Sequence, residues 1–153
     1  MTDQELALKL FVVLSRAHRA VERHSELDIN RHGLSAGEFA IMEALYHKGP
    51  LLLGEVQRKI LVSSGGVTYL VDRLEAEGLV ERRECETDRR ARYAALTRKG
   101  EQLMKRIFPE HAAALERAVS GLSTAEKQQA IDLLRRLGTT SAEGLARLQG
   151  RGR

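Results

Sequence analysis

Between Asp3 and Asn30 the chain contains neither proline nor glycine. Leu6, Leu10, Val13, Ala17, Val21 and, more loosely, Leu27 recur there at spacings of three and four, the stripe of one long amphipathic helix. A helix this long carries more apolar face than a three-helix miniature domain can cover. The fold must therefore wrap the stripe with further helices of the same chain or share it with a second copy. Arg31, His32 and Gly33 end the run, with Gly33 suited to the left-handed cap position.

The rest of the chain is read in the same way. Ser35 followed by Glu38 is a capping-box pattern, and Phe39, Met42, Ala44, Leu45 and Tyr46 make a second helix closed by Gly49 and Pro50. A short third helix over 53–60 offers Val56 and Ile60 to a core. Val67, Leu70, Val71 and Leu74 then fall at i, i+3, i+4 and i+7, so one face of a fourth helix is buried; Ser63 or Ser64 can cap it, and Gly78 stops it. Stretches 79–84 and 92–97 alternate as strands, and the turn 85–91 between them makes an antiparallel hairpin. Two further helices are expected. One runs over 98–119 with a bend at Pro109, and the other follows a second capping box, Ser123 and Glu126, through Ile131, Leu134 and Leu137. Past Gly138 a weak helix to Leu148 gives way to a flexible tail, 149–153.

Composition narrows the class. Hydrophobic residues at 42% and charged residues at 30% describe an ordinary soluble protein, and aromatics at only 4% with no Trp imply an aliphatic core. No stretch approaches the roughly eighteen apolar residues of a membrane span. The N-terminus does not read as a signal peptide. A single cysteine, Cys85, rules out an internal disulfide and suits a reducing cytosol, so the expected location is cytoplasmic. The formal charge of +4 is compatible with a polyanionic partner, although its distribution matters more than its total.

The fold class is thus mainly α (α+β). Two helices joined by a tight turn and followed directly by a hairpin give the layout of a winged helix-turn-helix, in which the second helix enters the major groove and the hairpin tip reaches the neighbouring backbone or minor groove. The small residues Ser64, Gly65 and Gly66 open that second helix at a cost in helix propensity, about 1 kcal/mol per Gly against Ala. Close approach to a groove accounts for them. A loosely capped helix start is the plainer reading.

The segments SSGGVTYLVDRLEAEGLVER and TDRRARYAALTRKG, at this separation, resemble the MarR family of transcriptional regulators. The latter segment is similar to that family's signature of Asp, any residue, Arg, then a strand ending Leu-Thr-x-x-Gly. The resemblance extends over roughly 6–137 and implies a homodimer: residues 1–32 and 98–148 form dimerisation helices around a winged helix-turn-helix head at 33–97. It also implies a repressor that reads double-stranded DNA at an inverted repeat, with half-site centres about 10 base pairs apart.

On the reading helix, about 64–77, the residues off the apolar stripe are expected to face DNA: Ser63, Ser64, Gly65, Thr68 and Tyr69. Arg73, one turn on, is expected to meet phosphate or the nearby Asp72 or Glu77. In the wing, 85–92, Asp88 is close enough to Arg90 to pair with it and fix the loop, while Arg89, Arg90 and Arg92 supply phosphate or minor-groove contacts. A merely solvated charged turn is the alternative.

RAHRAVERHSELDINRHGLSAGEFAIMEALYHKG is also similar to the branch of the family that responds to quinones and related phenolics. That implies a small aromatic or phenolic effector in a crevice, with His18, Phe39, Met42, Tyr46 and His111 as candidate lining residues, each equally readable as core or surface. Cys85 is either a chance thiol or a redox sensor; Arg82 and Arg83 favour the thiolate, while Glu84 and Glu86 oppose it. The scattered histidines form no metal motif, although His18 with Glu22 and Glu110 with His111 are near in sequence. No metal or other cofactor is expected. There is no phosphate-binding glycine loop, no HExxH and no nucleophile elbow, so catalysis is not expected. The rival class is a basic helical dimer acting as a protein-interaction module.

Overall fold

A computed structural model describes residues 1–60 and 64–150. The long proline-free run forms α1 (Asp3–Arg31), opened by a capping box in which the Thr2 hydroxyl accepts from Glu5 N–H and the Glu5 carboxylate accepts from Thr2 N–H. The second helix, α2 (Ala36–Lys48), begins with the expected reciprocal Ser35–Glu38 box. There follow β1 (Leu51–Leu52), α3 (Leu53–Ile60), α4 (Ser64–Ala76), β2 (Val80–Glu84), β3 (Arg92–Leu96), α5 (Arg98–Ala118) and α6 (Thr124–Gly150).

One expectation changes. The sheet has three strands in the order β1-β3-β2, not two, because Leu51 and Leu52 pair antiparallel with Ala94 and Tyr93. Past Gly138 the chain stays helical as expected, and α6 ends at Gly150, slightly beyond the expected Leu148. Helix α5 runs on through Pro109 without interruption.

The chain divides into two compact units, Met1–Glu116 and Arg117–Arg153. In the first, α2, α3 and α4 close on the sheet and on α5 around an aliphatic core. Ile41, Met42, Val56, Val71, Leu74, Met104 and Ile107 are fully buried there. Each such side chain contributes about 1.5–3 kcal/mol of transfer free energy. The outward face of α1 keeps Leu6, Leu10, Phe11 and Val13 in solvent. In the second unit α6 buries no residue and leaves Ile131, Leu134, Leu137 and Leu148 exposed.

The Leu-Thr-x-x-Gly stretch has a definite task. Thr97 N–H donates to Leu79 O at 3.1 Å, and its hydroxyl donates to Gly78 O at 2.5 Å. The same hydroxyl accepts from Gly100 N–H at 3.1 Å, capping α5. Lys99 Nζ donates to Glu77 O at 2.7 Å. Gly78 takes φ of 73°, and a Cβ on the buried Gly100 would overlap the Leu79 carbonyl oxygen. The start of α5 is thereby fastened to the loop that joins α4 to β2.

Candidate nucleic-acid interface

Helix α4 turns one face inward through Val67, Val71 and Leu74, all buried, and its periodicity puts Thr68, Tyr69 and Arg73 on the solvent side. Tyr69 is 60% exposed, an unusual setting for an aromatic ring. Arg73 Nη1 donates to Tyr69 Oη at 3.4 Å, and its guanidinium carbon lies 5.9 Å from the ring centroid. Its Nη2 is 3.9 Å from Glu38 Oε1 on α2, the carboxylate it meets within 4.0 Å among the described residues, while Glu77 acts on it more weakly. Ser64 and Gly65 lie in the first turn of α4. Ser63 falls outside the described residues.

A contact that sequence reasoning missed holds this helix against the sheet. Arg82 of β2 reaches Asp72 Oδ1 at 2.6 Å and Glu75 Oε2 at 3.1 Å, both on α4. Its side chain is 24% exposed, whereas Asp72 and Glu75 are 60% and 45% exposed, so water still screens the bridge from the carboxylate side. The sole hint in the sequence was a basic residue on a strand after an Asp-x-x-Glu pair at helical spacing, and that pattern is too common to single out.

The wing is fixed by main-chain chemistry. Asp88 Oδ1 accepts from Arg90 N–H at 2.9 Å, Ala91 N–H donates to Asp88 O at 3.1 Å, and Cys85 N–H donates to Ala91 O at 3.3 Å. Asp88 thus shapes the turn through the Arg90 amide, and no Asp88–Arg90 ion pair forms among the described residues. Arg89 and Arg90 are exposed, with no carboxylate within 4.0 Å among the described residues. Arg92 differs: it pairs across the strands with Glu84 at 2.8 Å, in the register that sets Glu84 opposite Arg92.

Cys85 sits at the base of this turn. Its sulfur is 3.2 Å from Thr87 Oγ1. The Thr87 hydroxyl, followed by the backbone amides of Thr87 and Asp88, stabilises the thiolate and holds the thiol below its ordinary value. The expected influence of Arg83 is spent elsewhere, because Arg83 pairs with Glu81 at 2.6 Å.

The five residues named for an effector crevice are not equivalent in place. Phe39, Met42 and His111 are buried, and the Phe39 and His111 rings lie 4.5 Å apart. Tyr46 is half-buried beside His47 and Phe108 and borders a surface cleft with Arg98 and Lys105. His18 is exposed and lies 3.5 Å from Glu22. Among the described residues no group of three or more His, Cys, Asp or Glu is arranged to hold a metal ion. No helix there is long and apolar enough to cross a membrane.

The succession α2-β1-α3-α4-β2-β3, with an exposed helix face beside an arginine-tipped hairpin, is that of a winged helix-turn-helix protein. A sequence profile described as MarR family matches residues 32–91. The HTH-type transcriptional regulator MhqR of Bacillus subtilis (strain 168) is 44% identical over 139 residues, covering 91% of this chain and 96% of that one. The chain belongs to the MarR family of DNA-binding transcription regulators. Among solved structures, AbsC, a MarR family transcriptional regulator from Streptomyces coelicolor, superposes with a TM-score of 0.81 at 22% identity, covering 94% of this chain and 97% of that one. Sco3205 from the same organism, solved in complex with DNA, gives 0.77 at 23% identity, covering 92% and 89%. Relatives and fold are those of transcription regulators, not enzymes.

Proposed function

We propose that the protein is a cytoplasmic homodimeric repressor, responsive to a ligand or to stress, that binds an inverted-repeat operator. Helix α4 reads the major groove through Ser64, Gly65, Thr68 and Tyr69, with Arg73 at its edge, and Ser63, the residue before it in sequence, is assigned to the same contact. The wing places Arg89 and Arg90 on the neighbouring phosphates or in the minor groove, and Arg92 follows once it exchanges Glu84 for phosphate. Residues 1–32 and 98–148 hold the dimer, and 33–97 form the reading head. The observation that carries this reading is the pair of exposed guanidinium groups, Arg89 and Arg90, without a carboxylate partner among the described residues, on a turn held by Asp88, together with the exposed Tyr69 face of α4.

The exposed leucines and valines of α1 and α6 support the homodimer, because a twofold pair would remove both stripes from water. The effector is a small aromatic or phenolic molecule, following the family resemblance. It acts by population shift: a ligand that binds better when the two heads have the wrong separation releases DNA by that differential affinity.

Selection of bound duplexes from a random pool tests the reading. An inverted repeat with half-site centres about 10 base pairs apart is expected, held by a dimer in sedimentation. Equal retention of the selected duplex and its scrambled counterpart would favour a protein-interaction module instead.

A further inference from the structure

The exposed face of α4 is tied to a buried charge on a neighbouring helix. Glu38 lies in the first turn of α2, and its side chain is 3% exposed. Its Oε1 accepts from Ser35 N–H at 3.4 Å and stands 3.9 Å from Arg73 Nη2, while Oε2 is buried without a hydrogen-bond partner among the described residues. Arg73, half exposed on α4, donates to the Tyr69 hydroxyl at 3.4 Å, and its guanidinium carbon is 5.9 Å from the centre of that ring. The two helices approach closely here: a Cβ on Gly37 would stand 2.7 Å from Leu70 Cδ1. A carboxylate, a guanidinium and an aromatic ring thus form one series that runs from a buried position out to solvent.

The capping box accounts for only part of this carboxylate. Glutamine serves equally at that position, because a single acceptor oxygen satisfies the cap N–H. Keeping a full charge out of water, with one oxygen unsatisfied, is unfavourable unless a cation faces it. Arg73 is that cation. The nearer acids on its own helix are committed elsewhere, Asp72 and Glu75 to Arg82. Left without Glu38, Arg73 would be a mobile guanidinium on the exposed side of α4, and such a group settles on phosphate, whose contacts carry no sequence information. Anchored by Glu38, it stays beside the Tyr69 ring, whose face attracts cations, and so restricts the orientation of that ring. Discrimination between duplexes gains when the wrong contact is suppressed as well as when the right one is made.

We propose that Glu38 is a positioning residue for sequence discrimination: its buried carboxylate holds the Arg73 guanidinium against Tyr69, so that the ring meets base edges in one orientation and Arg73 is withheld from indiscriminate phosphate contact. The proposal rests on the DNA-binding reading above. It gives a residue that does not touch DNA control over how selectively α4 reads it.

The test measures affinity across a salt series for the full-length protein, Glu38→Gln, Arg73→Gln and the double variant, on the selected duplex and on its scrambled counterpart. Glutamine can still accept from Ser35 N–H, so Glu38→Gln should keep the wild-type circular dichroism. It is expected to bind the scrambled duplex more tightly, to steepen the salt slope there by about 0.9 as Arg73 gains a phosphate, and to lower the preference for the selected duplex several-fold. In the Arg73→Gln background the same change should have no effect. In the free protein, the Arg73 Nε–H order parameter from NMR relaxation should fall in Glu38→Gln. Should that variant melt well below the wild type, Glu38→Asp, which draws the charge back from Arg73, takes its place with the same expectations. Unchanged preference, slope and order parameter would leave Glu38 a capping residue and overturn the proposal while the DNA-binding reading stands. An equal loss of preference with and without Arg73 would trace the effect to the fold of α2 and also overturn it. A wild type that prefers neither duplex sinks the DNA-binding reading and this proposal together.

Discussion

His111 Nδ1 on α5 and Asp28 Oδ2 on α1 are 3.0 Å apart, with both side chains 5% exposed. Around them, Arg31 reaches Asp28 Oδ1 at 2.9 Å, and His32 Nε2, buried without a hydrogen-bond partner among the described residues, stands 3.6 Å from Asp28 and 3.4 Å from Glu110. This is the polar tie between the end of the long first helix and the middle of α5. Removing one partner leaves the facing atom, Asp28 Oδ2 or His111 Nδ1, buried without that bond, at a cost of about 1–3 kcal/mol, although Arg31 still reaches Asp28 Oδ1. Asp28→Leu and His111→Phe should each destabilise by at least that much in urea unfolding. The double variant should lose less than the sum of the two. Strict additivity would mean that the two side chains do not interact.

Glycines at two places should respond with opposite sign. A Cβ at Gly100 would overlap the Leu79 carbonyl oxygen, and backbone cannot step aside cheaply. Gly100→Ala should therefore cost roughly 1–3 kcal/mol by overpacking. Gly138 lies inside α6, and an added methyl there would meet nothing within 4 Å, so Gly138→Ala should stabilise by up to about 1 kcal/mol. Thermal melts of the two variants decide it.

Arg82 does not need to touch DNA to matter for it. Its guanidinium holds Asp72 and Glu75, and with them the orientation of α4 against the sheet. Arg82→Ala should weaken operator binding several-fold while leaving the salt slope unchanged, because no phosphate contact is lost. A shallower slope would instead place Arg82 on the DNA backbone.

The thiol of Cys85 should titrate below an ordinary cysteine, because the Thr87 hydroxyl and the amides of Thr87 and Asp88 favour its thiolate. Alkylation by iodoacetamide, followed against pH, should show a midpoint under the roughly 8.5 of a free thiol. Thr87→Val should move it back up. The linkage has a fixed sign: a lowered folded-state value gives stability that is present above the unfolded midpoint and lost as pH falls through the folded one. A midpoint at or above the free-thiol value, unmoved by Thr87→Val, would contradict the geometry of the turn.

What could be read from the sequence was local. Ser35 with Glu38 and Ser123 with Glu126 announce helix starts because the partners are three residues apart, and both boxes form. The stripe of α4 is equally local. Strand β1 was not legible, since two leucines after a proline have no alternation to detect; only their pairing with Tyr93 and Ala94, some forty residues on, makes them a strand. The Asp28–His111 tie spans 83 positions and leaves no periodic trace. In the wing, sequence proximity rightly linked Asp88 to Arg90 but could not distinguish the side chain from the amide, and the amide is the partner. The cross-strand partner of Arg92 followed from register, which the turn length alone did not fix.

Because Thr97, Lys99 and Gly100 are fastened to Gly78, Leu79 and Glu77, the first turn of α5 offers no free hinge beneath the head. A tilt of that helix is therefore expected to carry the end of α4 and the start of β2 along with it, like two tines turned by one handle.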